Sequence, residues 1–256
     1  MLKFPKGCLI EMTFHILTLF PEMFDAVLHS SMLGRAEEKG ILKFNMINIR
    51  DFAGNKHNRV DDAPYGGGRG MVMQAPPVYD AFMSFAKDLP QKPHVIHMSP
   101  KGEVFSQAKA IELSKYDNLV FLCGHYEGID QRLIDEIVDE EISIGDYVLT
   151  GGEIPAMTVI DSVSRMIDGV LSNEDSFTDE SHFDGLLEYP HYTRPPVFMG
   201  REVPDILLSG DHAKIDAWRR RQSLLITKEK RPDMYEKNYE SYEIELNPPP
   251  KRKKKR

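Results

Sequence analysis

The sequence predicts an α/β fold built on a parallel sheet covered on both faces. Three observations carry this. Short runs of apolar and β-branched residues recur at 14–20, 44–49, 95–98 and 119–123. Stretches of helical spacing separate them. The runs are continuous instead of alternating, as expected for strands buried on both faces. Phe14 to Phe20 is the first strand, and Pro21 then opens a helix over Glu22 to Ala36, where proline is tolerated in the first turn. Phe44 to Ile49 is the second strand and Val95 to Met98 the third. A polar helix over Ser106 to Lys115 leads to the fourth strand, Leu119 to Cys123.

Beyond that the pattern changes. Ser143 to Glu153 is apolar but interrupted by Gly145, Gly151 and Gly152, and glycine inside such a run often marks close approach of a ligand. Pro155 to Met166 is helical. Its Asp161 and Arg165 are spaced for an ion pair, the alternative being an arginine that faces developing negative charge. Ala213 to Leu225 reads as an amphipathic helix with Trp218 on its apolar side. Residues 52–70 form a long loop, and 172–188 a second one rich in Ser, Asp and Glu. Three prolines and a run of Lys and Arg occupy 248–256.

The chain has 256 residues, 41% of them hydrophobic, enough for one large domain or two smaller ones. Its net charge of −8 argues against a nucleic-acid binder at first sight. The charge is sorted, however: residues 125–188 hold 17 acidic and two basic residues, while 189–256 hold 16 basic and 10 acidic. Two distant cysteines, Cys8 and Cys123, make neither a disulfide framework nor a zinc site, which fits a reducing, cytoplasmic setting. No membrane span is expected, and Met1 to Glu11 lacks the features of a signal peptide. The nine histidines show no HExxH-like spacing, so no metal ligands are assigned.

Two glycine clusters compete between turn and binding roles. Gly66 to Gly70 lacks a P-loop lysine, but Lys56, His57, Arg59 and Arg69 around it suit a polyanion. Gly124-His125-Tyr126-Glu127-Gly128 directly follows the fourth strand, where ligands bind in parallel sheets.

These segments occur in one order with Phe20-Pro21-Glu22-Met23-Phe24, Val60-Asp61-Asp62, Ile144 to Glu153, His191-Tyr192-Thr193-Arg194-Pro195 and Leu207 to Ala213. Together they closely resemble bacterial tRNA (guanine-N1)-methyltransferases of the trefoil-knotted (SPOUT) superfamily, from about Met12 to Asp233. The resemblance implies a parallel sheet with a deep C-terminal trefoil knot and a small helical C-terminal domain. It divides the chain into an extension 1–11, a methyltransferase domain 12–171, an acidic linker 172–188, a tRNA-binding domain 189–247 and a basic tail 248–256. It also implies a homodimer with active sites at the interface, tRNA as partner and S-adenosyl-L-methionine as methyl donor. Mg2+ is a candidate assistant, with the acidic centre as its host.

Residue by residue, the resemblance puts His97, Met98 and Ser99 on the adenosine side of the donor. Gly124, Tyr126, Glu127 and Gly128 form one knot loop. Ser143, Ile144, Gly145, Asp146, Tyr147, Val148 and Leu149 form the next, whose backbone groups bond adenine and ribose. Gly151, Gly152 and Pro155 make the wall behind. Arg165 matches the arginine expected near guanine O6. The family's base, an Asp five residues before a Gly, aligns with Asp179 or Glu180, and third with Asp175 in Asp175-Ser176-Phe177. This departure keeps a non-catalytic RNA-binding member of the same fold as an alternative. A nucleotide-dependent enzyme using the 66–70 loop is a second one.

Overall fold

The computed structural model describes residues 12–171 and 180–247. Contacts in space divide the chain into two compact units, Met1–Glu174 and Asp175–Arg256. In the first, β1 (Met12–Thr18) leads through a 3₁₀ turn at Pro21–Met23 to α1 (Asp25–Leu28) and α2 (Ser31–Glu38). The expected helix over 22–36 is thus broken. Ser31 takes a φ of 53°, and a Cβ on Gly34 would lie 2.6 Å from the His29 backbone, so the chain folds back where only glycine fits.

β2 (Leu42–Asn48) is followed by the long loop, in which β3 (Asp61–Asp62) pairs in two rungs with β4 (Val72–Met73) just beyond the loop's end. Sequence periodicity missed the next helix, α3 (Ala75–Ala86), because Pro76 and Pro77 resemble a loop although both sit in its first turn. β5 (His94–Val104) is longer than expected. Its pairing with β7 (Glu140–Ser143) shifts register between Met98 and Glu103, so Pro100 and Gly102 fall in a bulge. α4 (Gln107–Leu113), β6 (Asn118–Cys123), α5 (Gln131–Ile137) and α6 (Glu153–Ser164) complete the unit. Ser143, the start of the glycine-interrupted apolar run, is the last residue of β7. The acidic residues of β7 hid the strand, and charge is tolerated on the edge strand it forms.

Among the described residues, five parallel strands are ordered β2-β1-β6-β5-β7. Alternate side chains feed two cores. Phe14, Ile16, Phe121 and Ile142 pack with residues of α1, α2, α4 and α6. Leu17, Val95, Val120 and Leu122 pack with residues of α3 and α5. The Phe14 ring stacks on Phe44 at 5.7 Å and meets Phe121 at 6.2 Å. Each such buried side chain contributes about 1.5–3 kcal/mol.

The second unit opens with the β8 (Val197–Phe198) and β9 (Arg201–Glu202) ladder and α7 (Asp205–Leu208), then α8 (His212–Lys230), α9 (Pro232–Tyr235) and α10 (Tyr239–Leu246). Leu186, Leu224, Tyr235, Tyr242 and Leu246 make its core. Trp218 is only half-buried, beside Tyr192 at 6.4 Å, and belongs to the rim of the helix. Among the described residues, no helix is long and apolar enough to cross a membrane.

His15 is 4% exposed on β1. Its Nε2 reaches Asn118 Oδ1 at 3.1 Å and its Nδ1 the Asn45 amide at 3.0 Å, a network that assigns the neutral ring with Nε2–H donating. Burial holds its pKa below the ordinary histidine value, against the Asn118 hydrogen bond, and Lys43 adds to the lowering. The unfolded chain therefore takes up a proton at a pH where folded His15 does not. Stability from urea unfolding is expected to fall as pH drops through about 6.5. His15→Gln is expected to make that fall shallower; an unchanged slope refutes the assignment.

Candidate functional site

Residues 97–101 of β5 and the segments that leave the carboxyl ends of β6 and β7 enclose a cleft of ≈ 320 Å³. This is where open α/β sheets bind ligands. His97, Met98 and Ser99 form one side. Gly124, Tyr126, Glu127 and Gly128 form the second, and Ser143, Ile144, Gly145, Tyr147, Val148 and Leu149 the third. Gly151, Gly152 and Pro155 close the back. Of the seventeen residues expected there, Asp146 alone is off the lining; it is exposed, in the tight turn closed by Tyr147 N–H donating to Gly145 O at 2.9 Å. His125, Lys101, Glu141 and Thr150 also line the cleft. His125 was legible within its motif, whereas Glu141 and Lys101 carried no sequence signal.

The glycines are needed where chain meets chain. Gly145 has a φ of 146°, and a Cβ there would lie 2.6 Å from the Tyr147 ring. A Cβ on Gly152 would lie 2.7 Å from Cys123 Cα. A Cβ on Gly151 would overlap the His125 ring. His97 Nδ1 lies 2.8 Å from Glu141 Oε1. Burial nevertheless holds its pKa below the ordinary value, against the raising effect of Glu141, so the ring at this wall is neutral near pH 7. Cys123 is fully buried, and burial with the nearby Glu153 charge raises its thiol pKa well above normal, which keeps it inert.

Behind the cleft lies a carboxylate with 1% exposure, Glu153. Thr18 Oγ1 donates to its Oε1 at 2.6 Å, and His125 Nε2 lies 2.7 Å from its Oε2. It is the first residue of α6, where the positive end of the helix dipole favours a carboxylate. The end of β1, the loop after β6 and the start of α6 are thereby tied together. The Gly66–Gly70 loop docks on the same loop: Glu127 N–H donates to Met71 O and Met73 N–H to Gly128 O, both at 2.9 Å. A Cβ on Gly70 would overlap Glu127. Lys56, His57, Arg59 and Arg69 of this loop are exposed.

Arg165 caps the carboxyl end of α6, half-buried, with its N–H donating to Asp161 O at 3.2 Å. It is not on the cleft lining. Glu180 belongs to the second unit, where it lines a separate recess. Asp175 and Asp179 lie outside the described residues. Among the described residues, no group of three or more His, Cys, Asp or Glu side chains is gathered to hold a metal ion.

Removing the Glu153 carboxylate leaves Thr18 and His125 buried without their partner. Glu153→Ala is expected to destabilise the protein by roughly 3 kcal/mol, and Glu153→Gln by about 1 kcal/mol, in urea unfolding. Equal, negligible effects of both contradict the tie.

The model of the family tRNA (Guanine-1)-methyltransferase TrmD matches residues 12–237. The tRNA (guanine-N(1)-)-methyltransferase of Ruminiclostridium cellulolyticum is 59% identical over 226 residues, 88% of this chain and 97% of that protein. The protein of that name from Clostridioides difficile is 56% identical over 230 residues, 90% and 100% of the two chains. That from Staphylococcus aureus is 58% identical over 221 residues, 86% and 89%. A family match over most of the chain, with identities this high over nearly whole relatives, leaves one conclusion: the chain belongs to the tRNA (Guanine-1)-methyltransferase family.

Proposed function

We propose that this chain transfers a methyl group from S-adenosyl-L-methionine to N1 of the guanosine immediately 3′ of the anticodon in tRNAs whose preceding nucleotide is also G. The observation that carries the reading is the glycine-lined cleft at the ends of β5, β6 and β7, which gathers sixteen of the seventeen residues expected to hold the donor. It fits such a ligand. Glycines leave room for a close approach at backbone level, and Glu127 and Glu141 supply negative potential for a sulfonium. When bound, the donor supplies an electrophilic methyl group on a positively charged sulfur.

The chain's own groups do the rest. N1 of neutral guanine carries a proton and is a poor nucleophile. A linker carboxylate, Asp179 or Glu180 with Asp175 third, takes that proton. Negative charge then spreads onto O6, which Arg165 stabilises. The cleft walls hold donor and acceptor in line. The loops 124–128 and 143–149 are read as the threaded part of a trefoil knot, and residues 189–247 as the tRNA-binding domain. Exposed Tyr147, Val148 and Ile154 support a homodimer that completes the site; a tRNA substrate implies the cytoplasm. No Mg2+ ligand set is gathered among the described residues.

The test is transfer of labelled methyl from S-adenosyl-L-methionine to tRNA bearing the two guanosines. Transfer is expected; tRNA binding without transfer favours the non-catalytic reading. Arg165→Ala is expected to lower kcat by about 100-fold or more with donor affinity retained. One of Asp179→Asn, Glu180→Gln and Asp175→Asn is expected to abolish turnover. Transfer at full rate in all four variants refutes these roles.

The basic residues of the 56–69 loop and of the chain's end predict that tRNA affinity falls steeply with salt while donor affinity barely changes. Equal salt slopes contradict this division.

A further inference from the structure

We infer that the second unit carries a subsite for one unpaired guanine base of the tRNA, distinct from the base that is methylated, built on Asp184, Tyr189 and Arg219. The inference rests on tRNA being the substrate, as proposed above, and assigns a specific base contact to a region otherwise expected to bind by charge. A recess of ≈ 240 Å³ lies wholly within this unit, between the segment 180–189 and the face of α8 that carries Asp216, Arg219, Arg220 and Ser223.

Its chemistry matches a guanine on three counts. The first is a stacking platform, the half-buried Tyr189 ring, over which the Arg219 guanidinium lies at 5.1 Å and which a shift of Arg219 toward the edge of a base would open. Unpaired bases stack on aromatic rings and on guanidinium planes. The second is a fixed carboxylate. Arg220 Nη1 donates to Asp184 Oδ2 at 2.9 Å, while its Nε and Nη2 donate to Glu245 at 2.9 and 3.1 Å. The Asp184 Oδ1 accepts the Leu186 N–H at 3.2 Å. Asp184 is therefore held in place and keeps lone pairs for the N1–H and 2-amino donors of guanine. Adenine offers no such pair of donors on that edge. The third is spare donor capacity. Arg219 has one long ion pair, Nη1 to Asp216 at 3.3 Å, and its Nε is buried with no hydrogen-bond partner. A buried donor left unmade is costly. A small shift of this side chain toward O6 or N7 of the base would satisfy it.

A phosphate group suits this recess poorly. Glu180, Asp184 and Asp216 line it against Arg219 and Arg220, and Arg220 is already engaged by Asp184 and Glu245, so the carboxylates outweigh the free positive charge that an anion would meet. A base that presents donors to one carboxylate and acceptors to one guanidinium does not meet that penalty.

The test uses the full chain and tRNAs in which one unpaired guanosine at a time is replaced by inosine, the methyl acceptor kept as guanosine. Inosine lacks only the 2-amino group. For the wild-type protein, one such replacement is expected to raise KM for tRNA about tenfold with kcat unchanged. Asp184→Ala is expected to abolish the discrimination between guanosine and inosine at that position, with donor affinity unchanged and thermal unfolding lowered only slightly by loss of the Arg220 and Leu186 N–H contacts. Arg219→Ala, which leaves Asp184 and its partners intact, is expected to raise KM for every tRNA carrying that guanosine. The inference is overturned if Asp184→Ala keeps the discrimination. It is also overturned if Arg219→Ala weakens all tRNAs equally and lowers the salt slope by about one, the signature of a phosphate contact. A wild-type protein that methylates no tRNA at all would instead overturn the underlying reading of the function.

Discussion

The buried carboxylate of Glu153 is the constraint around which the first unit is organised. It accepts from Thr18 at the end of β1, lies against His125 in the loop after β6, and starts α6. A carboxylate at 1% exposure is tolerated only with such partners, so the three segments have to meet at one point. Their meeting fixes the back wall of the cleft. Gly151 and Gly152 are the consequence, because any larger residue would collide with His125 or with the Cys123 backbone. The Gly124–Gly128 loop then has a set position, and the loop from Gly66 to Met73 hydrogen-bonds onto it.

The sheet supplies the rest of the geometry. All five described strands of the main sheet run parallel, so their carboxyl ends lie on one side, and the three segments that form the cleft lie on or leave from neighbouring strands β6, β5 and β7. The polar loops sit where backbone groups are not used by the ladder. Charge follows the same division. Acidic side chains such as Glu127 and Glu141 surround the cleft, while exposed cations such as Arg59 and Arg69 lie on the loop that docks at its rim. The net charge of −8 is an average over surfaces with opposite tasks.

Much of this was legible before the structure. Continuous apolar runs located β1, β2, β6 and the first half of β5, because burial on both faces leaves a signal that polar interruptions do not mask. The motif glycines located the cleft. Three kinds of feature were hidden. α3 was masked by Pro76 and Pro77, since proline in a first turn looks like proline in a loop. β7 was masked by Glu140 and Glu141, which an edge strand accommodates by pairing with Lys109, His94 and His97. The helix after Pro21 was broken by a close approach at Gly34 that depends on three-dimensional packing. The tie at Glu153 was equally invisible, because Thr18 and Glu153 are 135 residues apart.

The proposed function requires that the methyl donor bind in the glycine-lined cleft. Calorimetric titration of the full chain with S-adenosylhomocysteine tests it most directly, with Gly145→Val as the comparison. Gly145 has a φ of 146° that a valine adopts only with strain, and its substitution affects the cleft wall and not the core. The account predicts one saturable site per chain in the wild-type protein and loss of most of that binding in Gly145→Val, with unchanged thermal unfolding. Equal binding by both proteins would contradict it.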